Sequence, residues 1–122
     1  MGKTELAIER ARRAIRLSPF DSYNFQSHSA LAIAYFYLQQ YKDAVDAARD
    51  AIDYNLSFSI SRAVLAAALL RSGRTVDAKA AAREVLQYEP TFTIRGLSLA
   101  AGFEPAVFAP FANAWRELGL PE

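Results

Sequence analysis

The chain has 122 residues, none of them cysteine and only one of them histidine. The absence of cysteine excludes disulfides, thiolate metal sites and cysteine nucleophiles, and it is typical of proteins from reducing compartments. A single histidine without cysteine also leaves too few ligands for a zinc site. The sequence therefore predicts no metal and no other cofactor.

Excess charge and long apolar runs are also lacking. Lys and Arg total 14 against 13 for Asp and Glu, a formal net charge of +1, so no global field favours nucleic acid or an anionic membrane. The strongly apolar runs at 30–38 and 63–70 are far shorter than the roughly 18 residues that a membrane span needs. The N-terminus leads into a charged amphipathic stretch, unlike a secretory signal. We therefore predict a soluble, cytoplasmic protein with neither nucleic-acid nor membrane partners.

The chain does contain an internal repeat. Similar residues recur at one fixed spacing along the sequence, the spacing between Leu31 and Leu65, which we call the repeat offset. The first set is Leu31, Ala32, Tyr35, Ala44, Ala48, Ala51, Ile52 and Tyr54, and the second is Leu65, Ala66, Leu69, Ala78, Ala82, Val85, Leu86 and Tyr88. A period of this length indicates helix pairs that bury their apolar faces by stacking on neighbouring pairs.

Apolar residues at three- and four-residue spacing predict where the helices lie. The segments are 3–17, 23–40, 42–55, 59–71 and 75–88, then a short helix within 91–101 and a final amphipathic helix at 105–118. Pro19 and Pro90 should end the helices before them. Gly73 suits a helix end with positive φ, and Thr75 is expected to cap the helix that follows. Asp21 or Ser22 is the expected cap of the second helix.

The repeated residues resemble the tetratricopeptide repeat. One unit matches through His28, Leu31, Ala32, Tyr35, Ala44, Ala48, Ala51 and Leu56, and the next through Arg62, Leu65, Ala66, Leu69, Ala78, Ala82, Val85 and Pro90. His28 stands where the family usually has Trp, and Leu56 where it has Pro. The resemblance implies an all-α, right-handed α-solenoid of antiparallel helix pairs. Its parts are a half repeat at 3–19, repeats at 22–56 and 59–90, and an atypical C-terminal capping segment at 91–122.

The half repeat matches through Ala7, Ala11, Ala14 and Pro19. The separation of Ala7 from Ala44 is three positions longer than the repeat offset, which indicates a short insertion. Because this first helix lacks the partner helix of its own unit, we expect its apolar stripe to be partly exposed and to self-associate, or to pack on an upstream repeat of a longer protein. The stripe consists of Leu6, Ala7, Ala11, Ala14 and Ile15.

The resemblance also implies a binding groove, lined by the first helix of each pair. The corresponding residues are Gln26, Ser29, Ile33, Phe36, Tyr37, Ile60, Ala63, Ala67, Leu70 and Arg71. This surface is mainly apolar, so it fits an apolar peptide or a helix of a protein partner. The alternative is that Phe36, Tyr37 and Leu70 cover the C-terminal segment as part of the core.

Catalytic patterns are weak. His28 lies between two serines inside a predicted helix, where a nucleophile would not be held on a strained turn. Four aspartates, Asp43, Asp46, Asp50 and Asp53, recur along one helix as a solvated face would. The basic cluster Arg10, Arg12, Arg13 and Arg16 indicates a solvated surface or an acidic protein partner. We therefore predict a non-catalytic protein-binding module.

A second interpretation concerns the tail at 116–122. It is similar to the C-termini of bacterial multi-domain proteins in which tetratricopeptide repeats follow an adenylate or guanylate cyclase domain, or a DNA-binding regulatory domain. The alternative function is therefore a regulatory or scaffolding segment of a larger bacterial signalling protein, with this chain as its C-terminal part.

Overall fold

The computed structural model describes residues 2–19, 24–56, 59–101 and 104–122, without the side chains at 25 and 98–101. Within these ranges the chain forms α-helices and no strand, which confirms the predicted all-α class. The helices are α1 (Lys3–Leu17), α2 (Asn24–Tyr37), α3 (Tyr41–Tyr54), α4 (Ser59–Arg71), α5 (Thr75–Tyr88), α6 (Ile94–Ala101) and α7 (Pro105–Glu117). None of the helices in these ranges has both the length and the apolarity to cross a membrane.

The predicted helix limits agree with the structure except at a few ends. The limits of α1, α4 and α5 are as predicted, whereas α2 ends at Tyr37 and not at residue 40. Thr75 is the first residue of α5 rather than its cap; Arg74 precedes the helix, and its guanidinium donates to Asp77 at 2.7 Å. The predicted caps Asp21 and Ser22 lie outside the described residues.

The turns that close α2 and α4 are the same structure, separated by one repeat offset. In the first, the backbone N–H groups of Gln39 and Gln40 donate to Phe36 and Tyr35. In the second, those of Gly73 and Arg74 donate to Leu70 and Leu69. These are the two bonds of a Schellman motif, which requires a residue in the left-handed region. Gly73 has φ +85° as predicted, and Gln39 takes the same role with φ +63°.

We expect replacement of Gln39 by glycine to raise the free energy of unfolding by about 1 kcal/mol. A side chain in the left-handed region costs about 1–2 kcal/mol, of which glycine's extra flexibility in the unfolded state cancels a part. Urea denaturation checks the value. The control is Lys79→Gly at an exposed helical position, which should lower stability by about 1 kcal/mol. An equal loss in both variants would contradict the assignment of the turn.

Small side chains allow the central helices to approach closely. Each helix from α1 to α4 packs on the next one along the chain, and α2 also contacts α4. The repeated alanines lie at these contacts, and they include Ala32, Ala44, Ala48, Ala51, Ala66 and Ala78, all 0% exposed. Short turns between consecutive helices favour antiparallel neighbours. The core is therefore built from stacked helices whose contact positions cannot hold larger side chains.

The C-terminal helix α7 does not continue this stacking, because it packs mainly on α4. Phe111 and Trp115 of α7 are both 0% exposed. The residues after α7 return to α6, where the backbone N–H of Ile94 donates to Pro121 at 2.9 Å. The segment 105–122 is therefore an integral part of the packed structure.

Candidate protein-binding surface

We define the inner face as the surface of α2 and α4 formed by the ten predicted groove residues. Four of them, Ser29, Phe36, Ala63 and Ala67, are buried. Four more, Ile33, Ile60, Leu70 and Arg71, are half-buried, and Gln26 and Tyr37 are exposed. The prediction of one continuous open groove therefore needs correction at the four buried positions.

The helix α7 covers part of the inner face and contacts two of the four buried residues, Phe36 and Ala63. The ring of Phe36 stacks on that of Phe111 with centroids 4.0 Å apart. The indole Nε1 of Trp115 donates to the carbonyl oxygen of Ala63 at 2.8 Å. Of the three residues in the core interpretation, Phe36 is buried against α7, whereas Leu70 is half-buried and Tyr37 is exposed.

An ion pair fixes the far end of α7. Arg71, another predicted groove residue, contacts the Glu117 carboxylate at 2.5 Å. The hydrogen bond from Arg71 holds the pKa of Glu117 below its ordinary value.

Further along the face, the hydroxyls of Ser29 and Ser61 are 2.6 Å apart and buried between α2 and α4. Ser29 is thus engaged in helix packing.

Part of the inner face stays open, between α1, α2 and the start of α7. We call this depression of about 330 Å³ the open groove. Its lining is mainly apolar and consists of Lys3, Thr4, Ala7, Ala30, Ile33, Ala34, Tyr37, Glu104 and Val107. Only Ile33 and Tyr37 of this set were predicted as groove residues. Ala30 and Ala34 were missed although they lie on α2. The rest were missed because the prediction considered one helix of each pair, whereas α1 and the start of α7 supply the remaining walls.

The predicted self-association stripe on α1 is divided in the structure. Ala11 is buried and Ile15 is half-buried, because α1 packs on α2 through this side. Leu6, Ala7 and Ala14 are exposed. The stripe as predicted is thus corrected at Ala11, which is buried, and only part of the Ile15 side chain is accessible.

The arginines of α1 lie beside its exposed side. A depression of about 510 Å³ is lined by Leu6, Glu9, Arg10, Arg13 and Arg16, so three cations face a single anion there. On the other side of the helix, the Arg12 guanidinium lies 5.6 Å from the centroid of the Tyr35 ring and hydrogen-bonds its hydroxyl. The exposed side of α1 therefore has a local positive charge that the net charge of the chain conceals.

His28 serves the packing of α2 against α3. Its ring stacks on Tyr54 at 5.1 Å, and its Nδ1 atom is 4.0 Å from a carboxylate oxygen of Asp50. Burial lowers the pKa of His28, and the nearby Asp50 charge partly opposes that effect.

No three His, Cys, Asp or Glu side chains cluster as metal ligands in the part of the chain that the structure describes.

The same constellation recurs one repeat later around Arg62, whose only sequence signal is its place in the repeat. Arg62 is buried, pairs with Glu84 at 2.9 Å, and lies 3.9 Å above the centroid of the Tyr88 ring. Its Nη2 also donates to the Leu56 carbonyl at 2.8 Å. A cationic or aromatic side chain is thus clamped between an acid and a tyrosine in both units, which indicates a structural role for His28.

We expect stability to fall as pH is lowered below about 6.5, the ordinary pKa of imidazole. Because the folded-state pKa of His28 is lowered, the unfolded chain binds its proton first, and acidification favours unfolding. Denaturation of the native chain and of His28→Gln at pH 7.5 and pH 5.5 checks this. The native chain should lose more stability between the two pH values than the variant. Equal losses would show that His28 is not buried in its neutral form.

Comparison of the chain with protein-family models, with curated proteins and with solved structures finds no significant match.

Proposed function

We propose that this chain is a non-catalytic protein-interaction module of the tetratricopeptide type, and that it binds a short apolar or amphipathic segment of a protein partner in the open groove. The volume of about 330 Å³ is within the range of pockets that bind ligands. A lining that is mainly apolar with a few polar residues suits a segment that buries one face and exposes the other.

One observation carries this proposal: the chain's own helix α7 lies on the adjoining part of the same face. Phe111 and Trp115 of α7 become fully buried there, and Phe111 does so against Phe36 of α2. The inner face therefore binds a helix through aromatic and apolar contacts. The open groove continues this surface past Val107, with side chains of the same character.

The experiment is a selection of helical peptides from a display library on the full chain. We expect enriched peptides with apolar residues at positions i, i+3 or i+4, and i+7, because those positions share one helix face. Their dissociation constants should be about micromolar, as for a contact of this size. The substitution Ala30→Glu should weaken binding at least tenfold, because it places a carboxylate in the apolar wall.

Two features make this test decisive. Ala30 is exposed and glutamate is a good helix former, so Ala30→Glu should fold normally. The control is Val76→Glu on α5, where the native side chain is 82% exposed, and it should leave binding unchanged. Failure to enrich any peptide, or equal binding to both variants, would overturn the proposed site.

A further inference from the structure

We propose that the occupant of the open groove is a single amphipathic helix of another protein, which carries acidic residues opposite Arg10 and Arg13. This inference rests on the proposed function and specifies the chemistry of the partner. The helix would pack on α1 as α2 packs on α3 and as α4 packs on α5. The internal repeat and the charge on α1 both support a partner of this kind.

The exposed side of α1 corresponds to a buried side of the equivalent helices in the two complete units. Three residues on the exposed side of α1 are Ala7, Arg10 and Ala14. Their counterparts are Ala44, Ala47 and Ala51 in α3, and Ala78, Ala81 and Val85 in α5. All six counterparts are buried, from 0% to 6% exposed. In α5 they are buried by α4, the helix on which it packs, so this side of each helix faces the first helix of its own pair.

The other wall of the groove shows the same difference. Ser61 and Val64 of α4 are 0% exposed, and Ser61 contacts Ser29 of α2 directly. Their counterparts one repeat earlier are Ser27, which is half-buried, and Ala30, which is exposed. Both walls of the groove therefore present the surfaces that a neighbouring helix covers in the next unit.

Charge identifies the kind of helix. Arg10 stands where the complete units have the buried alanines Ala47 and Ala81, so a helix in the groove would remove water from its guanidinium. Among the described residues Arg10 has no ion-pair partner. A desolvated cation is tolerated when a carboxylate pairs with it. Arg13 and Arg16 line the same depression as Arg10, where Glu9 is the one anion in the lining.

The same charge argues against a second copy of this chain as occupant. Two α1 helices paired antiparallel about their centres would bring Arg10 of one copy next to Arg10 of the other. Like charges in contact are destabilising. An acidic helix from a different protein fits both surfaces, with an apolar stripe in the open groove and a negative flank against the arginines beside it on α1.

The test uses two hydrocarbon-stapled peptides, each about four helical turns long, with identical Leu and Ala stripes. One is flanked by Glu and the other by Lys. Binding to the full chain is measured by fluorescence anisotropy at low and at physiological salt. We expect the acidic peptide to bind at least tenfold tighter than the basic one, with a preference that shrinks as salt rises. Arg10→Glu should reverse the preference.

Two control variants distinguish the effect of the α1 charges from the effect of binding in the open groove. Arg83→Glu, at an exposed arginine on α5, should leave the preference intact, and Ala30→Glu should weaken both peptides. If both peptides bind equally and Arg10→Glu has no effect, the charge inference fails while the proposed function stands. If neither peptide binds and peptide selection also fails, both fall. A dimer in light scattering that Ala14→Glu dissociates would instead identify a second copy as the occupant and overturn the inference.

Discussion

Replacing Trp115 with alanine is expected to lower the free energy of unfolding by about 4 kcal/mol. The indole is 0% exposed, stacks 5.5 Å from Phe111 and donates to the Ala63 carbonyl. Removal of a buried aromatic side chain typically costs about 3–5 kcal/mol, because the transfer energy is lost and a cavity remains. Chemical denaturation followed by circular dichroism measures the loss.

Two further variants serve as controls for Trp115→Ala. Trp115→Phe keeps most of the buried area but loses the hydrogen bond, so it should cost about 1–2 kcal/mol. Val76→Ala removes a side chain that is 82% exposed and should change stability by less than about 0.5 kcal/mol. If Trp115→Ala were as mild as Val76→Ala, α7 would not be packed on the inner face.

The second large effect is expected for Ala44→Trp, which should lower the free energy of unfolding by about 3 kcal/mol. Ala44 is 0% exposed at the contact between helices, where a larger side chain forces the helices apart. The matched control is Ala7→Trp, because Ala7 holds the same position on α1 and is exposed. We expect this control to cost less than about 0.5 kcal/mol.

The pair of variants tests how α1 is packed. Thermal and urea unfolding of both should show a clear difference, with Ala7→Trp close to the native chain. A similar loss in both would mean that α1 has the same neighbours as α3, and the open groove would then not exist.

Much of the fold could be predicted because local chemistry determines it. Pro19 follows α1 and Pro90 follows α5, and Gly73 takes the positive φ that its place after α4 demands. The repeat offset identifies the buried alanines without any knowledge of contacts. The left-handed Gln39 was missed because its residue type gives no local signal, although the offset from Gly73 pointed to it.

The candidate site was harder to predict, because it depends on contacts between distant segments. Nothing local to Phe36 shows that Phe111, which lies on the last helix of the chain, will stack on it. Periodicity identified both as apolar without indicating which surfaces they join. The open groove is likewise a boundary between α1, α2 and α7, so its walls become visible only when the place of α7 is known.

Residue-resolved NMR titration tests the binding account most directly. The isotope-labelled full chain is titrated with the acidic stapled peptide, and amide shifts are followed along the backbone. We expect the largest changes at Ala7 and Arg10 of α1 and at Ala30 and Ala34 of α2, with none in the middle of α5. Changes confined to α5, or no changes at saturating peptide, would contradict the claim that the open groove binds a partner helix.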